Sequence, residues 1–246
     1  MLALIPAAGL GTRMAAVTGG APKELLPLGR RAVLRRIVDE AIAAGADEVV
    51  VVSSPKKPQI EAALADWQSE IQIPLRVAYQ QSPRGLGDAI FCAEPEGDTL
   101  ILLGDCVYDG GSPSDRMATL VYRGIDGCIA VETVPDEEVS RYGICQVDEM
   151  GGIRDILEKP QPHETTSRWA VAARYAFTGP VMDHLGEIFS QISAARPVGE
   201  ISLTDLLRPA IQSGVDLKAV ALQPGQARVD CGTPEEYAQA LRLSWS

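Results

Sequence analysis

The sequence predicts an α/β fold in which helices flank a mixed, mainly parallel sheet. The chain has 246 residues, of which 46% are hydrophobic and 22% charged, a composition that can bury a full core. Strand-like and helix-like segments alternate over roughly the first 105 residues, as in a parallel sheet. The segment at residues 48–53 contains four consecutive valines, which is typical of a strand buried on both faces.

Hydrophobic spacing and turn residues place the elements along the chain. In the first half we predict strands at residues 2–7, 48–53, 75–79 and 99–103, and helices at residues 32–44, 58–67 and 87–93. In the second half we predict strands at residues 128–134, 144–148, 153–157 and 170–177, and helices at residues 180–192, 203–213 and 234–243. The turn at residues 150–152 indicates a hairpin, and a short strand is expected just before Asp230. The alternation of strands and helices stops after Gly124, which divides the chain into halves at about 1–123 and 124–246. Because no flexible linker separates these halves, we expect one domain over residues 1–246.

Charge and composition limit the partners of the chain. A net charge of −11 without any run of basic residues disfavours nucleic acid. No apolar run reaches the roughly 18 to 20 residues that a membrane span needs, and the N-terminus does not resemble a secretion signal. We therefore expect a cytoplasmic protein with no membrane partner, whose five scattered cysteines are free thiols.

A glycine-rich loop, Gly-Leu-Gly-Thr-Arg at residues 9–13, follows the first strand. Glycines let successive backbone N–H groups approach a phosphate closely. A dinucleotide site would need a third glycine where Met14 stands, and an acidic residue where Ser53 and Ser54 end the second strand. The loop alone therefore indicates either a different phosphate site or a plain turn.

Further motifs decide between these alternatives. They lie in order along almost the whole chain, at residues 5–14, 22–28, 80–87, 103–105, 141–143, 158–160, 199–205 and 230–232. Together they resemble the nucleotidyltransferase family that makes nucleotide sugars. The resemblance is closest to the bacterial uridylyltransferases that use UTP and glucose 1-phosphate, and nearly as close to the thymidylyltransferases. It implies a Rossmann-like, GT-A-like fold whose β-rich second half binds the sugar phosphate.

The resemblance implies that the first half binds the nucleotide. The residues that would hold the triphosphate and the base are Ala7, Ala8, Gly9, Gly11, Thr12, Gln80, Gly85 and Leu86. Arg13 would neutralise the leaving pyrophosphate and Lys23 would contact the α-phosphate side. The Gln80 amide can accept from N3–H of uracil, or rotate and pair with cytosine, so by itself it does not select between these bases.

The resemblance also implies a magnesium site and a sugar-phosphate site. Asp105 and Asp230 would hold Mg²⁺, a cation that needs only one or two protein carboxylates; outside this pattern each would be a turn or cap residue. The residues implied on the sugar-phosphate side are Tyr142, Gly143, Glu158, Lys159, Ala173 and Glu200. A sugar phosphate has a second pKa of roughly 6, so it is ionised at neutral pH and no general base is required.

The chain departs from the family pattern at several points. Arg168 and Ala173 stand where relatives usually carry asparagine and glycine, so the methyl group of Ala173 restricts approach to the sugar. Residues 15–21 lack a proline and a lysine that are common in relatives. The segment at residues 56–75 is shorter than the matching segment of typical uridylyltransferases. That segment often carries subunit contacts, so a homo-oligomer stays open.

We expect the chain to join UTP and glucose 1-phosphate, giving UDP-glucose and pyrophosphate. The alternatives are a transferase that uses dTTP or CTP, or another sugar 1-phosphate, and a degenerate regulatory relative that has lost catalysis. A glycosyltransferase would instead need an Asp-x-Asp metal motif and no pyrophosphate loop.

Overall fold

A nine-stranded sheet forms the centre of the protein, seen in a computed structural model that describes residues 1–243. Strands of this sheet and of two small ones are β1 (Leu2–Pro6), β2 (Pro27–Leu28), β3 (Arg31–Ala32), β4 (Glu48–Ser53), β5 (Leu75–Tyr79), β6 (Thr99–Leu102), β7 (Cys106–Asp109), β8 (Gly127–Thr133), β9 (Gly143–Val147), β10 (Ile153–Glu158), β11 (Trp169–Phe177), β12 (Leu217–Ala221) and β13 (Ala227–Asp230). The helices are α1 (Ala15–Thr18), α2 (Val33–Ala43), α3 (Pro58–Gln68), α4 (Leu86–Phe91), α5 (Ser114–Tyr122), α6 (Gly179–Ala195), α7 (Leu203–Gln212) and α8 (Pro234–Ala240). Short 3₁₀ turns lie at Thr12–Met14, Lys23–Leu25 and Asp136–Arg141.

The large sheet is parallel on one side and antiparallel on the other. Its order is β10-β9-β11-β6-β1-β4-β5, and β8 and β12 continue from β11. Strands β6, β1, β4 and β5 run parallel, whereas β11 pairs antiparallel with β6, β8 and β9. The parallel part comes from the first half of the chain, as its alternating strands and helices require.

Hydrophobic residues on both faces of the sheet explain why the helices lie there. The valines of β4 are fully buried, and they belong alternately to two core clusters, one on each face. Helix α2 packs into the first cluster through Val33, Leu34 and Ile37, and helices α6 and α7 pack into the second. The two-sided core is the reason that β4 reads as an uninterrupted apolar run.

Strand β11 changes its partner along one edge, and this change positions the site. One edge of β11 pairs with β8, while the other pairs with β9 near Trp169 and with β6 from Arg174 onward. Its register against β8 shifts between Val171 and Tyr175. Ala173, inside this bulge, has φ +59°, a left-handed conformation that favours glycine. A recess therefore opens between β6 and β9.

The predicted fold class and most predicted elements are confirmed. The strand of residues 48–53 has the predicted bounds, and the turn at residues 150–152 joins β9 and β10 as an antiparallel hairpin. Within the described residues, strands β2, β3, β7 and β12 and helices α1 and α5 were not predicted, whereas the short strand expected before Asp230 is confirmed as β13. Within residues 1–243, no helix combines the length and apolar character that crossing a membrane requires.

Candidate active site

Two adjoining cavities open at the carboxyl ends of β1, β5 and β6, the place where open α/β sheets bind ligands. One has a volume of about 540 Å³ and the other about 280 Å³. Both are lined by Leu86, Leu103, Asp105, Lys159 and Glu200. Because they share these walls, the two cavities form one continuous cleft.

The larger cavity contains most residues predicted for the nucleotide. It is lined by Ala7, Ala8, Gly9, Lys23, Gln80, Gly85 and Leu86, among others. Gly85 has φ +94°, and a Cβ there would lie 2.5 Å from the carbonyl oxygen of Ile201. The segment after Gln80 can therefore pass close to residues 200–201 only with glycine at position 85.

Gly11, Thr12 and Arg13 lie beside this cleft rather than in its lining. The loop that carries them is largely exposed, and Gly11 has φ +63°. A Cβ at Gly232 would lie 3.7 Å from Nη2 of Arg13 and 3.6 Å from Oδ2 of Asp105. The Arg13 guanidinium thus lies near enough to the Asp105 carboxylate to act on its charge.

Strand β13 brings Asp230 next to Asp105. It pairs antiparallel with β7, so Asp230 lies opposite Cys106, and the N–H of Cys231 donates to the carbonyl of Asp105 at 2.8 Å. Asp105 itself is placed by Gly104, where a Cβ would lie 2.7 Å from the carbonyl oxygen of Pro6. Two carboxylates far apart in sequence are therefore held side by side at the base of the cleft.

Each of these carboxylates has a cationic partner. Lys23 forms an ion pair with Asp105, and Nη1 of Arg228 lies 2.8 Å from Oδ2 of Asp230. Burial acts to raise the pKa of Asp105, but the Lys23 ammonium outweighs it, with Arg13 adding, and the pKa is lowered. The pKa of Asp230 is raised by burial and by the nearby negative charge of Asp105, against the effect of Arg228.

This pair of carboxylates fits a hard divalent cation. Oxygen ligands are what Mg²⁺ prefers, and a cation held by these residues would relieve the repulsion from Asp105 that adds to burial in raising the pKa of Asp230. Among residues 1–243, no group of three or more His, Cys, Asp or Glu side chains could hold a metal ion. Mg²⁺ at this place would therefore rely on Asp105, Asp230, water and substrate phosphates.

The smaller cavity contains the residues predicted for the sugar phosphate. Tyr142, Gly143, Glu158, Lys159, Ala173 and Glu200 all line it. The N–H of Lys159 donates to the carbonyl of Tyr142 at 3.1 Å, and the Thr204 hydroxyl donates to Oε2 of Glu158 at 2.6 Å. The Lys159 side chain is 62% exposed, and its ammonium lies 3.8 Å from Oε1 of Glu158.

Of the two departures from the family pattern, only Ala173 lies in this cavity. Its methyl group is buried in the wall beside Val171 and Tyr175. The Arg168 guanidinium instead donates to Asp136 at 2.6 Å and to backbone carbonyls of residues 165 and 167.

Sequence reasoning missed Arg228, which lines the smaller cavity. Its guanidinium lies 4.3 Å from the ring centroid of Tyr142 and pairs with both Glu132 and Asp230. Burial acts against its charge, but the two carboxylates outweigh burial and raise the pKa of Arg228. The only signal in the sequence was its place two residues before Asp230.

A second missed feature is a buried ion pair behind the glycine loop. Nζ of Lys57 lies 2.9 and 3.0 Å from the Glu24 carboxylate oxygens and donates to the carbonyl of Ala7 at 2.8 Å. Glu24 and Lys57 are only 2% and 8% exposed. Lys57 therefore ties the end of β1 to the segment that carries Lys23.

Comparisons with known proteins agree with this arrangement. The model of the family described as Nucleotidyl transferase matches residues 2–244. A UTP–glucose-1-phosphate uridylyltransferase of Bacillus subtilis is 32% identical over 235 residues, covering 84% of this chain and 78% of that protein. One from Mycoplasma pneumoniae is 32% identical over 268 residues, covering 97% and 90%.

Solved structures give the same result. A UDP-glucose pyrophosphorylase complexed with UDP-glucose superposes with a TM-score of 0.84 at 28% identity, covering 98% of this chain and 97% of that one. A UTP-bound enzyme from Acinetobacter baumannii gives a TM-score of 0.82 at 26% identity, covering 98% and 92%. The family expected from the motifs is thereby confirmed, and the chain belongs to the nucleotidyl transferases, as an enzyme of that family.

Proposed function

We propose that the protein transfers the uridylyl group of UTP to glucose 1-phosphate, giving UDP-glucose and pyrophosphate. The observation that carries the proposal is the continuous cleft, in which a nucleotide-sized cavity joins a smaller one at Asp105 and Lys159. Relatives that span almost the whole chain carry names for this activity. Residues up to about 123 would bind the nucleotide, and those from about 124 to 246 the sugar phosphate; residues 244–246 lie outside the described residues.

On the nucleotide side, the chain supplies backbone groups and two cations. Ala7, Ala8 and Gly9 line the place proposed for the triphosphate, with Gly11 and Thr12 in the loop beside it, while Gln80, Gly85 and Leu86 hold the base. Arg13 and Lys23 lie beside the carboxylate pair, where the α- and β-phosphates must be placed for reaction. Phosphoryl-type transfer depends mainly on such positioning and charge neutralisation.

On the sugar side, Glu158 and Glu200 accept hydrogen bonds from sugar hydroxyls and Lys159 pairs with the sugar phosphate. The backbone at Gly143 and the Ala173 methyl limit the depth of the cavity, and Tyr142 forms part of its wall. Lys159 lines both cavities, so it lies where the two phosphates approach one another.

The reaction needs no proton acceptor from the protein. An ionised oxygen of glucose 1-phosphate attacks the α-phosphorus of UTP, a new P–O bond forms, and the bond to the β-phosphate breaks. Lys23 and Lys159 balance charge on the reacting phosphate, and Arg13 stabilises the departing pyrophosphate. Asp105 and Asp230 would hold Mg²⁺, which supplies positive charge to the phosphate oxygens when bound.

Release of pyrophosphate from a panel of nucleoside triphosphates and sugar 1-phosphates tests the proposal. With glucose 1-phosphate we expect kcat/KM to decrease in the order UTP, dTTP, CTP, then ATP and GTP. A single methyl group is worth about 1–3 kcal/mol, so dTTP should follow UTP by roughly 10- to 200-fold. A preference for ATP or GTP, or for another sugar phosphate, would refute the assignment. Absence of turnover with every pair would favour a regulatory relative.

A further inference from the structure

The orientation of the Gln80 amide is fixed by two neighbours. Its Nε2 donates to the carbonyl of Gly85 at 3.0 Å and to Oδ2 of Asp88 at 2.8 Å. Both neighbours are acceptors, so the end of the amide that faces them must be the amino end. Gln80 is only 5% exposed and lines the nucleotide cavity, and no described protein group donates to its Oε1. The group that Gln80 offers to a ligand is therefore an acceptor.

Asp88 acts on the cavity only through Gln80. It is 8% exposed, lies in the first turn of α4 and does not belong to the lining of either cavity. Its other neighbours are the Arg84 guanidinium at 3.6 Å and the Cys92 thiol at 3.7 Å. A buried carboxylate this close to Gln80 strongly disfavours rotation of the amide, because rotation would bring Oε1 against two acceptors.

We propose that Asp88 is a positioning residue that makes the enzyme select uracil over cytosine. Uracil carries a hydrogen on N3 that the fixed Gln80 oxygen can accept, whereas N3 of cytosine is itself an acceptor. Rotation of Gln80 would remove this distinction, and Asp88 prevents the rotation. Thymine has the same N3–H, so Asp88 does not separate UTP from dTTP. The inference rests on the proposed function, since it assumes that Gln80 contacts the base.

The isosteric substitution Asp88→Asn tests this role. An asparagine amide can either accept from Gln80 or donate to it, so a rotated Gln80 would face one acceptor, the Gly85 carbonyl, instead of two, and rotation becomes easier. We expect the ratio of kcat/KM for UTP to kcat/KM for CTP to fall by at least about tenfold. The change should come from a higher KM for UTP and a lower KM for CTP. The KM for glucose 1-phosphate and the UTP-to-dTTP ratio should stay unchanged.

A matched control and a binding measurement complete the experiment. Cys92→Ala removes another neighbour of the same Asp88 oxygen and should leave the UTP-to-CTP ratio unchanged. Dissociation constants of UTP and CTP, measured by calorimetry with each variant, should shift in opposite directions for Asp88→Asn. An unchanged ratio, or an equal loss with both nucleotides, would overturn the role of Asp88. A wild-type protein that does not use UTP would refute the proposed function itself, and the wild-type panel reveals this first.

Discussion

Ala173 carries a side chain in a backbone conformation that suits glycine. The left-handed region costs a residue with a Cβ about 1–2 kcal/mol. The bulge is held nonetheless, because the Ala173 carbonyl accepts from the N–H of Leu103 at 3.2 Å and from Nη1 of Arg174 at 2.9 Å. A single residue therefore combines backbone strain with a methyl group in the wall of the smaller cavity.

Removal of this methyl group should not destabilise the protein. For Ala173→Gly we expect the free energy of unfolding to stay the same or rise by up to about 1 kcal/mol, since the strain is relieved. Ala172→Gly removes a methyl from the neighbouring buried position without positive φ, and should cost about 1–2 kcal/mol. Urea denaturation compares the two variants, and an equal loss in both would contradict the strain. The KM for glucose 1-phosphate should change in Ala173→Gly, and that for UTP should not.

Strand β11 and helix α2 are joined by a buried ion pair. Arg174, with a fully buried side chain, donates to both carboxylate oxygens of Glu40 at 2.7 Å, and Glu40 also accepts from Ser114 at 2.6 Å. Burial acts to raise the pKa of Glu40, but Arg174 outweighs it and lowers that pKa. The pair thus anchors the bulged strand, which lines the smaller cavity, to helix α2.

Breaking this pair should be costly. We expect Glu40→Gln or Arg174→Met to lower the free energy of unfolding by about 3–5 kcal/mol, because a buried charge or donor loses its partner. The double variant should cost less than the sum. Arg208→Gln breaks a similar but exposed pair with Asp155 and should cost below about 1 kcal/mol. Similar losses in all three single variants would contradict this account.

The same pair makes stability depend on pH. Because the pKa of Glu40 is lowered, the stability that its carboxylate contributes is present above the ordinary pKa of about 4.3 and is lost as pH falls through the lowered pKa.

Among the strands and helices, those that could be predicted from the sequence are the ones with a strong local pattern. The valines of β4 and the glycine turn between β9 and β10 identify their elements without tertiary information. Strands β7 and β13 have four residues each and pair with one another. Strand β7 has no local signal, and β13 was indicated only as a short strand before Asp230. Helix α5 begins in a polar Ser-Pro-Ser-Asp segment whose buried face appears only once β8 is in place.

For the candidate site, motifs indicated which residues to consider but not how they are paired. The site residues proposed from the resemblance stay predictions, although most of them line one cleft. The role of Arg174 in a buried ion pair could have been predicted, since a single arginine in the apolar run at residues 170–177 needs a buried partner. The amide orientation of Gln80 could not, because it depends on Asp88, one of many aspartates in the sequence.

Across the whole molecule, the larger cavity is lined mostly by residues before 124 and the smaller one mostly by residues after it, and we propose that they hold the nucleotide and the sugar phosphate. Lys159→Ala should therefore raise the KM for glucose 1-phosphate more than that for UTP, and Arg13→Ala should do the opposite. Steady-state kinetics with each substrate varied in turn measures the difference, together with product-inhibition patterns. If both variants changed only the affinity for UTP, the division of the cleft would be wrong.

The carboxylate pair also depends on the whole fold, because Asp105 and Asp230 come from distant parts of the sequence. We expect Asp105→Asn and Asp230→Asn each to reduce turnover by at least about 10²-fold while the protein stays folded, since the phosphates lose their cation. Chelation of Mg²⁺ in the wild type should have the same effect, and restored Mg²⁺ should reverse it. Full activity of either variant at saturating Mg²⁺ would remove that aspartate from the metal site.

The ion pair between Lys23 and Asp105 implies that substrate binding is an exchange of partners. The Lys23 ammonium has three N–H donors, so a phosphate can take one of them as Lys23 turns from Asp105, and a bound cation would then balance the Asp105 charge. Arg228 and Asp230 form a similar ion pair on strand β13. Uptake of a nucleotide together with its cation thus leaves the number of paired charges in the cleft nearly constant. A protein with a net charge of −11 can in this way accept a polyanion without an exposed basic surface to attract it.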